Sequence, residues 1–193
     1  MNFYHTAEND GISYFGVKKS TIPIISKAWT INPENLNNQK ISYSLKNKEI
    51  FLNSLSATSG NQSLLISGRY LKRDVFDLKL DVKNVLLENT LPKIPTFRMA
   101  GEMNLNANIT RSSSKNQLNI ETNVKDLKIN NELLGDLRLS STGNTELNTY
   151  IATLNLLKGT KTTLEVKGLL QGLADPRLNF NFNLNDLDIS FLS

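Results

Sequence analysis

The chain has 193 residues, 39% hydrophobic and 21% charged, which is a globular composition long enough to bury a substantial core and too apolar for intrinsic disorder. Its 22 Lys and Arg against 18 Asp and Glu leave a mild net charge of +4. The basic residues are scattered among acids and asparagines rather than gathered into a stripe with stacking aromatics, so no nucleic-acid partner is expected. The absence of cysteine excludes disulfides, thiolate metal sites and cysteine catalysis, and no apolar run approaches the ~20 residues that span a bilayer as a helix.

The opening "MNFYHTAENDGISYFG" lacks the charged-then-apolar layout of a signal peptide. Residues 1–21 read as a lead-in segment. They hold the only histidine, His5, in a polar terminus expected to be mobile, so a hydrolytic triad with a histidine base has no credible candidate. The following "STIPIISKAWTINPENL" is β-rich, but Pro23 and Pro33 restrict it to edge or irregular strand. Trp29 and Tyr43 read as core or strand-surface aromatics, since nothing groups them into a sugar-stacking platform.

From Glu49 onward one pattern recurs. Apolar residues alternate with polar ones, as on a strand with one buried face, and then the alternation slips by one. In "EIFLNSLSA" Ile50 and Leu52 are followed by Leu55 and Ala57. In "FDLKLDVKNVLLENTL" Phe76, Leu78, Leu80 and Val82 give way to Val85 and Leu87. "QLNIETNVKDLKIN" repeats the step from Val124 to Leu127, and "LNFNFNLNDLDISFL" repeats it from Leu184 to Leu187. Each step encloses two polar residues, Asn53-Ser54, Lys83-Asn84, Lys125-Asp126 and Asn185-Asp186, all suited to a bend or a β-bulge. The copies are unequally spaced, which argues for a meander of antiparallel strands with variable hairpins over a fixed-period solenoid.

A second element precedes some of these units. "LLISGRY" and "LEVKGLL" run alternating apolar residues into Gly68 and Gly168, where a turn and a returning strand are expected. "FRMAGEMNLNANIT" is a third version around Gly101. Helical patterning is nearly absent. Leu86, Leu87, Thr90 and Leu91 can form a turn or two before Pro92 and Pro95 end it. The reading is therefore a first group of strands over 22–90, a proline-containing connector at 91–98, and a second group over 99–193.

No chemistry-bearing constellation emerges. Asp77 with Asp81 and Asp186 with Asp188 share a strand face, but that face alternates with Leu and Phe and should be the solvated one. "LLKGTKTT" lacks the upstream glycine and following helix of a phosphate-binding loop and reads as a hairpin turn. No catalytic residue, cofactor site or metal site is assigned, and the chain is not expected to be an enzyme.

Strands ending in "LxVxG", followed by a return that alternates, slips and resumes, resemble the repeats of the AsmA-like superfamily, in particular TamB-like translocation and assembly proteins. The order "AWTINPENL", "SATSGNQSLLISGRY", "FDLKLDVKNV", "MAGEMNLNANI", "LKINNELLGDLRLSS", "TLEVKGLL" is similar to the C-terminal region of the Bacteroidota type, from about Ile22 to the end. "NELLGDLRL", with Gly135 and Asp136, is the most telling stretch. The chain departs from the family in being far shorter and in lacking the inner-membrane anchor.

The resemblance implies an all-β fold, a long curved antiparallel sheet bent into a groove, in the periplasm or cell envelope of a Gram-negative bacterium. It implies that the groove carries phospholipid acyl chains toward the outer membrane. It also implies support of outer-membrane protein assembly with a β-barrel partner. The lining would be Leu78, Leu80 and Val82, then Leu105 and Ala107, then Leu118, Ile120 and Val124, then Leu164 and Val166, and last Leu178, Phe180, Phe182 and Leu184. The interleaved Asn119, Glu121, Asn181 and Asn183 should face outward. The alternation alone equally suits a closed β-sandwich acting as an adhesive or carbohydrate-binding module. The apolar strand at 178–192 carries one acid pair and no other edge protection, so self-association through it is expected.

Overall fold

The computed structural model describes residues 2–7, 11–25, 27–37, 39–71, 75–91, 94, 96–112, 116–144, 146–172 and 176–185. The fold is all-β, and the described residues form fourteen strands in one antiparallel sheet that does not close on itself. In chain order these are β1 (Phe3–Ala7), β2 (Ile12–Val17), β3 (Ser20–Ile24), β4 (Lys27–Ile31), β5 (Lys40–Ser44), β6 (Glu49–Ser59) and β7 (Gln62–Leu71). They continue with β8 (Val75–Leu86), β9 (Met99–Arg111), β10 (Asn116–Ile129), β11 (Glu132–Asn144), β12 (Thr149–Lys158), β13 (Lys161–Gln171) and β14 (Arg177–Leu184). A single helical turn, α1 (Leu87–Thr90), stands where the sequence places one. A closed sandwich would need a second sheet packed face to face; among the described residues there is one sheet, and extensive contacts join only its neighbours.

The slips are β-bulges. Register shifts fall between Leu52 and Leu55 in β6, between Val82 and Val85 in β8, and between Val124 and Leu127 in β10. In each the second enclosed residue takes a left-handed backbone: Ser54 at φ 42°, Asn84 at 54° and Asp126 at 50°. Short polar side chains tolerate that conformation best after glycine, which is why these residue types recur there. The extra residue returns the strand to its original phase, so the apolar residues before and after the slip stay on one face. Of the fourth slip Asn185 is described; Asp186 and Leu187 lie outside the described residues.

The bulge of β10 is held by β11. The Asp126 N–H donates to Asp136 Oδ1 at 3.0 Å, and Leu127 is paired with Gly135, so the "LLGDL" stretch of β11 seats it. In β8 the Asn84 N–H donates to Asn104 Oδ1 at 3.0 Å in the same way.

Gly68 and Gly168 do not end their strands, as the sequence reading has it; β7 and β13 run past them by three residues. They are sites of close approach instead. The Phe180 ring lies over Gly168 and the Asp77 carbonyl oxygen, with Leu78 beside it, crowds Gly68, each in the space a Cβ would need. His5 likewise departs from expectation: it belongs to β1 and stacks on Phe15 with ring centroids 4.6 Å apart.

The lead-in segment and the residues after it are built into the sheet. β5 pairs with β2 on one side and with the first half of β6 on the other, while β4 pairs with β6 beyond its bulge, at Thr30 with Thr58 and Ile31 with Ala57. Two strands thus share one edge of β6, and polar side chains satisfy the backbone at their junction. The buried Asn32 donates through Nδ2 to the carbonyls of Val17 and Leu36, at 2.8 and 2.9 Å, and accepts from the Leu36 N–H. Gln39 bridges to Ser56, accepting its N–H and donating to its Oγ. β3, with Pro23, pairs only with β4, a placement that tolerates a missing N–H. Across the proline-containing connector β8 and β9 pair directly, so the two groups of strands form one continuous sheet.

Candidate functional site

Because residues paired across antiparallel strands share a face, the register builds the apolar surface row by row. One row runs from Ala57 through Leu64, Val82 and Leu105 to Thr122, and on through Leu139, Leu154 and Val166 to Phe182. The next toward the β7–β8 turn begins with Leu55, Ile66 and Leu80 and then becomes small, with Ala107, Ser141, Ala152 and Gly168 flanking Ile120. Beyond it lie Leu78, Ile109, Leu118, Tyr150, Leu170 and Leu178. On the other side lie Val85, Met103, Val124, Leu137, Leu156, Leu164 and Leu184. Small residues between two bulky rows make a shallow trough across the strands. Nine strands at about 4.8 Å spacing give the first row a length of about 38 Å.

The opposite face is mainly polar, although Leu65 and Ile151 stand exposed on it. Asn106, Glu121, Ser140, Thr153, Lys167 and Asn181 form one of its rows, and Asn119 and Asn183 stand in the neighbouring ones. Lys83 with Asp81 (3.6 Å) and Lys167 with Glu165 (2.7 Å) are ion pairs along single strands on that side, exposed enough to contribute little beyond solubility.

The sheet is concave toward the apolar face. Trp29 of β4 shares a buried cluster with Val82 and Val85 of β8, although β6 and β7 lie between, a separation of about 14 Å if the sheet were flat. Bending and the inward fold of the β3–β4 hairpin, which adds Ile22, bring them together. Trp29 is 3% exposed and covers one long flank of the trough at β8, and Leu87 of α1 covers the same flank farther along, over Val124, Leu127, Leu134 and Leu156. The sequence signals a turn at Leu87 but gives no sign that it is a cover.

The opposite flank is open at β6–β8. Ile50, Leu52, Gly68, Tyr70, Phe76 and Leu78 line a hollow of about 250 Å³ there, and Ile50 and Tyr70 are exposed. The β14 side is open too, with Phe182 69% exposed and Leu178 and Leu184 also exposed. A second hollow, about 280 Å³, opens on the polar face among Glu121, Asn123, Arg138 and Asn155, with no convergent pair of groups suited to acid–base chemistry.

Comparison with protein-family models, with curated proteins and with solved structures finds no match. Among the described residues no helix is long and apolar enough to cross a membrane, and no group of three or more His, Asp or Glu side chains could hold a metal ion.

Proposed function

We propose that this chain is a segment of an envelope-spanning TamB-like protein, a conduit rather than an enzyme. Its apolar β-groove carries phospholipid acyl chains toward the outer membrane and supports outer-membrane protein assembly with a β-barrel partner. The observation that carries this reading is the continuous apolar face of a single unclosed sheet, covered along one flank by Trp29 and Leu87 and open along the other. An acyl chain of about sixteen carbons faces a barrier on the order of ten kcal/mol in water, at about 0.8 kcal/mol per methylene. A trough of Leu, Ile, Val and Phe removes most of that barrier without directional contacts, and leaves the headgroup in water at the rim. A row of about 38 Å exceeds the reach of one acyl chain, which spans half of a ~30 Å bilayer core, so a lipid could be handed along it.

The test is cross-linking in a Gram-negative host, with a photoreactive phenylalanine analogue placed at Ile120 on the apolar face or at Glu121 on the polar face. Lipid adducts at 120 but not at 121, together with lipid in organic extracts of protein purified without detergent, are expected. Equal labelling at both positions, or no co-purifying lipid, overturns the proposal.

A further inference from the structure

We propose that β14 is a self-pairing edge that joins two copies of this chain through a twofold antiparallel ladder centred on Asn181. Residues 178–184 read Leu-Asn-Phe-Asn-Phe-Asn-Leu, the same in both directions. A twofold antiparallel pairing sets each residue against the one equally far on the other side of the axis. Leu178 then meets Leu184 of the second copy, Phe180 meets Phe182, Asn179 meets Asn183, and Asn181 meets itself. Apolar side chains face their own kind on one side of the sheet, amides face amides on the other, and no charge is opposed.

The backbone has the matching parity. The Asn185 N–H donates to the Thr163 carbonyl at 2.8 Å, and backbone groups along a strand point alternately to either side. The odd-numbered residues of β14 therefore bond to β13, while Leu178, Phe180, Phe182 and Leu184 aim N–H and C=O at an edge that no described strand covers. In the proposed register those groups meet as hydrogen-bonded pairs, and Asn181 falls in a close pair without ladder bonds.

Edge strands are ordinarily guarded by charge, proline or a bulge, and residues 178–184 have none of these. The sheet's other edges are poorer partners: β3 carries Pro23, β1 has five residues against eight in β14, and a contact from β14 to either is head-to-tail and does not close. The twofold lies normal to the sheet, so the apolar face of one copy continues into the other. The pairing holds whether or not the face carries lipid.

An edge ladder buries less than a standard interface of about 1,600 Å², so association is weak and sedimentation of the full chain must extend to about 500 µM. A reversible monomer–dimer equilibrium saturating at two copies is expected, with amide exchange at Phe180 and Phe182 slowing as concentration rises. Asn181→Lys and Asn181→Asp each place like charges about 4.5 Å apart across the axis and should weaken dimerisation about fivefold. An equimolar mixture of the two should restore it, which also shows that both variants fold. A mass that stays at one copy, a mass that grows beyond two as β14-to-β1 chains would, or charge variants that associate as the parent does would each overturn the proposal.

Discussion

Truncating Leu156 and Phe182, two residues on one apolar face, should have very different consequences. Leu156 is 3% exposed beneath Leu87, among Val124, Leu127 and Leu134. Leu156→Ala removes about three methylene equivalents, about 2.4 kcal/mol of transfer free energy, and leaves a cavity that the rigid sheet beneath cannot close, for a total of about 3–4 kcal/mol. Phe182 is 69% exposed on the edge strand, so Phe182→Ala forfeits only the buried third of its area, on the order of 1 kcal/mol or less. Urea unfolding of each variant, in dilute solution where β14 is unpaired, measures both. Leu156→Ala should lower the midpoint by several times as much, with an unchanged slope. Equal losses would mean that Phe182 is covered in solution, and would refute the picture of a trough packed along one flank and open at β14.

Two further substitutions probe the devices that shape the sheet. Ser54 sits in the β6 bulge at φ 42°, so Ser54→Gly should stabilise by a few tenths of a kcal/mol and Ser54→Val should destabilise by about 1–2, read from thermal melts; the reverse order would show that the bulge is not left-handed there. Gly168→Ala puts a methyl group where the Phe180 ring lies and should destabilise by about 1–3 kcal/mol; an unchanged melting temperature would show that the ring does not rest on the backbone.

The bulges are the most legible part of the fold. Period-two alternation fixes which residues share a face, and after a three-residue step over two polar residues a strand keeps that face only by carrying a bulge. Asn84 and Asp126 therefore announce both the position and the conformation of their bulges. Leu78, Leu105, Ile120 and Val166 fall on one face for the same local reason. What composition and alternation do not encode is contact between distant segments. Nothing near Trp29 marks it as a cover over Val82, because β4 reaches β8 only through the bend of strands that come later in the chain. The junction of β4 and β5 along β6 depends on Asn32 and Gln39, polar residues that look in sequence like ordinary loop members and are buried by long-range pairing. Gly68 and Gly168 mislead in the opposite direction: a glycine after alternating residues suggests a turn, yet here it lets the neighbouring strand approach, through the Asp77 carbonyl at Gly68 and the Phe180 ring at Gly168.

From β5 to β14 every strand pairs with the strand that follows it in the chain. Such pairings close short loops, so hairpins can form on microsecond timescales and add one after another to a growing sheet without threading or long searches. The exceptions are the docking of β2 on β5, which must wait for the β3–β4 hairpin to be set aside, and of β4 on β6 across β5, and they make the N-terminal junction the step most exposed to error during folding. Because each added hairpin needs only the edge of the previous one, the span of the trough is a matter of how many hairpins are strung together, and two more strands between β12 and β13 would lengthen it by about 10 Å while leaving every other pairing in place.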